Sequence, residues 1–452
     1  MLETPADQPL ADSRRAVPRT DTVLAEPAVR AATERLGATI VKDAVRRAQD
    51  RCRRGELAPD EVPSAALASL PPTATALRRV LNATGVVVHT NLGRAPLSPA
   101  AVEALGVAAG ATDVELDLAT GRRGRRGRSA LAALAAAVPD AGGVHVVNNG
   151  AAALALVTAA LTGTGRGPRD EVVIARGELV EIGDGFRIPE LLESVGARLR
   201  EVGTTNRVHA EDYRAALGER TAFVLKVHPS NFLVSGFTSS VELPVLARLA
   251  GEHGVPLVAD IGSGLLAPHH RLPDEPSAAH ALRAGADLVT ASGDKLLGGP
   301  QCGLMLGAAE LVERLRRHPF ARALRVDKLT LAALEATLTG PESPVARSLA
   351  ADPRALRTRA ERIRDRLADV VEVSAVETVA AVGGGGAPEV PLASAAVSLP
   401  VVLHAPLRAD AVLPVVGRVE RGALLLDLVA VAEADDDALV DAVRRALAGG
   451  AG

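Results

Sequence analysis

Lys295 stands in the run Ser292-Gly293-Asp294-Lys295, after an aliphatic segment expected to be a strand (Ala286–Ala291) and ahead of a glycine turn, Gly298-Gly299-Pro300. An amine fixed at a strand end can hold a cofactor aldehyde as a Schiff base. Upstream, a second apolar strand, Val255-Pro256-Leu257-Val258-Ala259, ends in Asp260 and runs into Ile261-Gly262-Ser263-Gly264. A carboxylate there can keep a pyridine nitrogen protonated. One strand end offering an amine and another a carboxylate, in one α/β sheet, suit pyridoxal phosphate, which must be anchored covalently and its ring kept electron-poor. Taken alone, a lysine after a strand is usually a solvated loop residue; Asp260 and the glycine turns favour the chemical reading.

Other segments carry chemistry of their own. The strand ending at Val147 leads through Asn148-Asn149-Gly150 into an alanine-rich helix from Ala151, so free backbone N–H groups at Asn149, Gly150 and Ala151 and the helix dipole meet where a phosphate can bind. A plain strand-to-helix turn would look the same. Asn82–Arg94 surrounds a short apolar strand with Asn, Thr, His and Arg side chains. Arg122, Arg123, Arg125, Arg126 and Arg128 are spaced by glycines that disfavour a helix, which gives a loop for phosphates or an RNA backbone, or a solvated charge run. In His318–Arg325, Arg322 and Arg325 are expected three apart on one helical face, able to grip a tetrahedral oxyanion.

These groups need a scaffold, and 452 residues are too many for one core. Residues 1–20 read as a disordered tail. A helical N-terminal domain (21–80) follows, with helices at Pro27–Leu36 and Ala38–Arg54, each closed by a glycine. The second helix is basic, through Lys42, Arg46, Arg47, Arg51, Arg53 and Arg54, which fits either a solvated face or an RNA contact. From 81 to 340, short aliphatic strands (Gly143–Val147, Glu171–Ala175, Ala222–Val227, Val255–Asp260, Ala286–Ala291) alternate with Ala-rich helices, predicting a mostly parallel sheet covered on both faces. Residues 341–452 read as a smaller α+β domain whose Gly383–Gly386 run is a loop with no chemistry assigned. Cys52 and Cys302 are the only cysteines, which excludes a disulfide scaffold or a cysteine-based metal cluster, and no metal is expected. Without a signal-peptide pattern or an apolar stretch of about 18 residues, a cytoplasmic protein with no membrane partner is expected. The net charge of −3 leaves any nucleic-acid contact to local patches.

Six segments together resemble bacterial selenocysteine synthase, the L-seryl-tRNA(Sec) selenium transferase family: Asn82–Arg94, Arg176–Gly183, Glu201–Arg207, Lys226–Asn231, Ser292–Gly303 and Arg322–Lys328. The likeness extends to Val416–Glu420 and Leu425–Leu428 and so spans nearly the whole chain. It implies a fold-type-I pyridoxal-phosphate transferase with Lys295 as the Schiff-base lysine, Asp260 as the ring-nitrogen partner and Asp294 as a catalytic carboxylate. His228 and Ser292, inside two of the segments, join Asn149, Gly150 and Ala151 as expected cofactor contacts. Arg94, Arg322 and Arg325 match positions that bind the phosphate of the selenium donor. The N-terminal domain is implied to recognise the selenocysteine tRNA, and the assembly to be a homodecamer, a pentamer of dimers with active sites at subunit interfaces. The chain departs from the family in having Asn148-Asn149-Gly150 where three asparagines are usual.

The implied reaction converts L-seryl-tRNA(Sec) to L-selenocysteinyl-tRNA(Sec), through loss of water to aminoacrylyl-tRNA and addition of selenium from selenophosphate. Two alternatives stand beside it. One is a related lyase acting on a small amino acid or amino sugar; the other is an RNA-binding protein that kept the fold without the chemistry.

Overall fold

The computed structural model describes residues 17–449 except 166, 184, 231 and 389, so most of the expected N-terminal tail lies outside the described residues. Two compact units divide between Arg79 and Val80. The first is helical: Thr20–Ala25, Pro27–Leu36, Ala38–Arg53 and Val62–Ala68. Its core is a seam of Val29, Leu36, Val41, Val45, Cys52 and Val62, and Cys52 is a buried free thiol. Pro27 starts one helix where its missing N–H costs nothing, and Gly37 ends it with φ of 90°. Burying the apolar stripe of Ala38–Arg53 leaves Lys42, Arg46, Arg47, Arg51, Arg53 and Arg54 exposed on the other side.

The second unit is built on two sheets. In chain order its strands are β1 (Leu81–Ala83), β2 (Val86–Val88), β3 (Gly143–Val147), β4 (Glu171–Ala175), the short β5 (Glu181–Ile182) and β6 (Phe186–Arg187), β7 (Arg198–Val202), β8 (Thr221–Val227) and β9 (Leu257–Gly262). There follow β10 (Leu288–Ser292), β11 (Gly303–Gly307), β12 (Ser374–Gly383), β13 (Pro391–Pro400), β14 (Val415–Glu420) and β15 (Ala423–Asp427). Among the described residues the larger sheet runs β3-β11-β10-β9-β8-β4-β7. β10, β9, β8, β4 and β7 are parallel, while β11 is antiparallel to both neighbours, so the sheet is mixed at one edge. The buried runs of β4 and β8 reflect helices covering both faces, one of them the buried helix Gly150–Thr162.

The second sheet, β1-β14-β15-β13-β12-β2, unites distant parts of the chain. β1 pairs in parallel with β14 (Leu81↔Val415), and β2 with β12 (Ala381↔Val86, Gly383↔Val88). Leu81, Ala83, Val87 and Val88 share one core with Leu399, Leu424 and Leu426. Strands from just before the large sheet thus complete the C-terminal one. That pairing carries the segment after β2 and the loop after β12 to the same place. No helix among the described residues is long and apolar enough to cross a membrane.

Candidate active site

Asp260 sits on β9 opposite Thr290 of β10, whose hydroxyl donates to Asp260 Oδ1 at 2.7 Å. The parallel register sets them side by side, two residues before their strands end at Gly262 and Ser292, toward the carboxyl edge where open α/β sheets place ligands. Burial pushes the Asp260 carboxyl up, opposed by the Thr290 hydrogen bond and the Lys295 ammonium. The His228 N–H donates to the Asp260 carbonyl at 2.9 Å, which sets the imidazole at the end of β8, beside β9. Asp260 and His228 both line a cavity of about 530 Å³ that also takes in Glu178, Lys226, Arg207 and Glu275.

Lys295 leaves β10 through a tight turn held by the Gly293 N–H to Cys302 O (2.8 Å), Leu296 N–H to Ser263 O (2.8 Å) and Gly298 N–H to Lys295 O (3.0 Å). Burial lowers its amine from the usual lysine range, against the raising effect of Asp260, and the Arg94 guanidinium lowers it further. A Cβ added at Gly262, on the Asp260 strand, would lie 3.8 Å from Lys295 Nζ, so the amine reaches that strand end. Asp294 is buried; its Oδ2 takes a 2.7 Å ion pair from Arg94 Nη1, and its carbonyl accepts from the Ala95 N–H. Arg94 adopts φ of 65°, an unusual backbone for a side-chain-bearing residue, where its N–H bonds His89 O at 3.0 Å. Cys302 beside this turn is buried, and its thiol is pushed up to about 12, so it is packing and no nucleophile at neutral pH.

The expected phosphate site is the start of the helix Gly150–Thr162. The Asn149 side chain caps it by accepting from the Ala152 N–H at 2.8 Å, while the N–H groups of Gly150 and Ala151 belong to the first turn, which has no intrahelical acceptors. Ser292, at the end of β10, faces them: a Cβ at Gly150 would lie 2.8 Å from Ser292 Oγ. Glycine in place of asparagine therefore leaves open the space between the helix end and the serine hydroxyl. A phosphate fits such a cradle, and a buried amine with a buried carboxylate at neighbouring strand ends fits the aldehyde and ring nitrogen of pyridoxal phosphate.

The two C-terminal arginines are placed differently. The helix from Pro319 ends at Ala323, so Arg322 and Arg325 do not share a helical face as expected. Arg325 instead makes a backbone bridge to Val147, beyond the helix end. Both line a second cavity, of about 680 Å³, with Arg123, Arg125, Arg126 and His145, and neither Lys295 nor Arg94 belongs to that lining. Glu115 gathers Arg123 (3.0 Å), Arg126 (3.1 Å) and Arg325 (3.7 Å), and Arg128 pairs with Asp113. The arginine-rich loop is thus partly neutralised, yet it borders the same cavity as Arg322 and Arg325. His145 on β3 has both ring nitrogens buried without partners, and burial with the nearby Arg125 lowers its pKa to about 4.

The sequence profile of L-seryl-tRNA selenium transferases matches residues 80–432, and that of the selenocysteine synthase N-terminal region matches residues 14–53. The chain belongs to the L-seryl-tRNA selenium transferase family. It is similar to the L-seryl-tRNA(Sec) selenium transferase of Geobacter sulfurreducens, with 42% identity over 95% of this chain and 98% of the relative. The corresponding protein of Carboxydothermus hydrogenoformans is 40% identical over 94% of this chain and 95% of its own length. Among solved structures, a D-glucosaminate-6-phosphate ammonia-lyase superposes with a TM-score of 0.58 at 20% identity, covering 83% of this chain and 97% of that one; this likeness concerns the fold.

Within this family member, several groups at the site carried no sequence signal of their own. The Gly383–Gly386 run, read as a loop without chemistry, lies over Lys295: a Cβ at Gly385 would fall 2.5 Å from Nζ. Glu275 is buried, accepts from the Ala387 N–H at 2.6 Å and meets His228 Nε2 at 3.3 Å. Lys226 pairs with buried Glu178 at 2.5 Å, and the other oxygen of Glu178 accepts from the Val227 N–H. A four-glycine run 90 residues from a candidate lysine says nothing about proximity until β12 pairs with β2.

Proposed function

We propose that this protein is a pyridoxal-phosphate-dependent L-seryl-tRNA(Sec) selenium transferase that exchanges the serine hydroxyl for selenium from selenophosphate while the amino acid stays esterified to tRNA. The observation that carries the reading is the convergence of Lys295, Asp260 and the Arg94–Asp294 pair at neighbouring strand ends in a member of this family. Pyridoxal phosphate, when bound, supplies an electron sink for the carbanion formed at the serine α-carbon.

The chain's own residues do the rest. Lys295, its amine lowered by burial, holds the neutral form more readily than a surface lysine, so it can attack an aldehyde and later take the α-proton. Asp260, oriented by Thr290 in a site that desolvates it, would hold the ring nitrogen of the cofactor. The first-turn N–H groups at Gly150 and Ala151, with Ser292, would receive the cofactor phosphate, and His228, held next to Asp260, would flank the cofactor. Arg94 presents a guanidinium to the donor phosphate, and Asp294 fixes its direction by a 2.7 Å contact. The serine oxygen leaves with the α-proton as water, selenium adds to the β-carbon as a proton returns to the α-carbon, and water takes the donor's phosphoryl group as the P–Se bond breaks, releasing phosphate.

Arg322 and Arg325 line a cavity whose lining includes neither Lys295 nor Arg94, which favours a donor site completed by a neighbouring copy, as in a decamer with sites at subunit interfaces. Exposed Val102, Val107, Leu118 and Phe237 fit such an assembly. The basic face of Ala38–Arg53 supports tRNA recognition by the N-terminal domain, though Arg46, Arg51, Arg53 and Arg54 already face acids. We assign domains at 21–80, 81–340 and 341–452, with β1 and β2 lent to the C-terminal sheet, and a cytoplasmic location.

The deciding experiment is the visible absorbance of the purified protein with pyridoxal phosphate, before and after seryl-tRNA(Sec) or free serine, with Lys295→Ala as control. A band that requires Lys295 and responds only to the charged tRNA is the expected result. A response to free serine alone would instead support the lyase, and no band would leave the RNA-binding reading.

A further inference from the structure

Glu275 is a buried carboxylate with no role in the chemistry above, and it touches two parts of the site at once. Its Oε2 accepts the Ala387 N–H at 2.6 Å and sits 3.3 Å from His228 Nε2; its Oε1 is buried without a partner. Ala387 is held at φ of 46°, a conformation that a side-chain-bearing residue keeps only where its surroundings impose it. The preceding residues form the cover of the lysine. Gly383 pairs with Val88, the Gly384 N–H donates to Val88 O at 2.8 Å, and Gly385 lies so close to Lys295 that a Cβ would meet Nζ, Cε and Cδ at 2.5, 2.6 and 2.8 Å. At Gly386 a Cβ would meet Leu296 at 2.8 Å and Ser263 at 3.2 Å. β12 and β2 fix the start of this cover. Beyond Gly384, and before pairing with β13 resumes at Pro391, the Ala387–Glu275 bond ties the far end of the cover to the segment that carries Glu275.

We propose that Glu275 is a positioning residue: it latches the 383–387 loop over Lys295 and, through the same oxygen, sets the orientation of the His228 imidazole. This rests on the reading of Lys295 as the cofactor lysine only in what the cover protects; the latch itself is a property of the chain. A carboxylate binding an N–H and an imidazole makes charge-assisted contacts, stronger than those of a neutral acceptor, and suits a fastening that must hold a strained backbone. One carboxylate thereby couples the cover of the amine to the group beside the ring.

The test uses the full-length protein, Glu275→Asp and Glu275→Gln. Aspartate keeps the charge but withdraws the oxygens by one methylene; glutamine keeps the reach and an acceptor. Amide exchange of the segment 381–392 is followed by mass spectrometry, in cofactor-free and loaded protein, with β8 as internal reference. Loss of the Ala387 bond in Glu275→Asp should speed exchange in 381–392 by about tenfold or more, leave β8 unchanged, and speed release of bound pyridoxal phosphate by a similar factor, while Glu275→Gln stays within about threefold of wild type. Unchanged exchange in Glu275→Asp overturns the latch, as does exchange that rises equally in β8, which would make Glu275 a contributor to general stability. The cofactor-free measurement stands apart from the proposed activity: if pyridoxal phosphate never binds, that reading fails while the latch is still judged.

Discussion

Alanine at Gly385 isolates the relation between the glycine loop and the lysine. The backbone there has φ of 88°, where an L side chain costs about 1–2 kcal/mol. The added Cβ would meet Lys295 Nζ at 2.5 Å and Cε at 2.6 Å, whereas carbon contacts settle near about 3.5–4 Å, so something must withdraw by roughly 1 Å. The yielding partner is the far end of a flexible side chain, not backbone, so the protein should fold and lose only the strain energy. The amine, however, is displaced from the strand end it shares with Asp260. Since a misplacement of about 1 Å can cost on the order of a hundredfold in rate, capture of pyridoxal phosphate should slow by about that factor. Stopped-flow absorbance of cofactor-free protein mixed with pyridoxal phosphate measures capture, and urea denaturation measures the strain. Capture at the wild-type rate, with the 1–2 kcal/mol penalty present, would refute the placement of the loop against the lysine.

Lys226→Met leaves Glu178 without its ammonium; burial already raises that carboxyl, so the folded state keeps the proton more tightly than the unfolded chain. Stability of the variant should match wild type at low pH and fall behind as pH rises through the raised Glu178 value, read as urea midpoints across pH. For His145, lowered from 6.5 to about 4, the unfolded chain takes the proton first, so stability should decline by roughly 3 kcal/mol as pH falls from about 6.5 to about 4, and His145→Leu should flatten that decline. Gly106→Ala adds a side chain into open space in the middle of the helix Pro99–Ala109 and should raise stability by about 0.5–1 kcal/mol, seen as a higher Tm with unchanged cofactor capture.

The local chemistry of this protein is written in adjacent residues and was legible there. A strand ending in Asp260, another leading to Lys295 and a third opening through Asn149-Gly150 into a helix are each short patterns in which an aliphatic run fixes the strand and glycine the turn. The strands Gly143–Val147 and Glu171–Ala175 fall where the aliphatic runs predict them, and β8 begins one residue earlier, because strands covered on both faces read as continuous apolar segments. β11 carries no such signal: Gly303-Leu304-Met305-Leu306-Gly307 is short and glycine-bounded, and its partners β3 and β10 give it a place.

What tertiary structure decided is everything that depends on pairing across long stretches of chain. The parallel pairing of β2 with β12 lays the Gly383–Gly386 loop on Lys295, and a strand's partner is chosen by the whole sheet, not by its own residues. Burial that lowers Lys295 and raises Asp260 arises because strand ends from separate segments close around them. The Arg94–Asp294 pair joins residues 200 apart in sequence, and a helix that ends at Ala323, followed by the bridge from Arg325 to Val147, places two arginines on a cavity whose lining lacks the lysine. Residue types determined which reactions are open to the chain; the packing of its two sheets determined which groups meet.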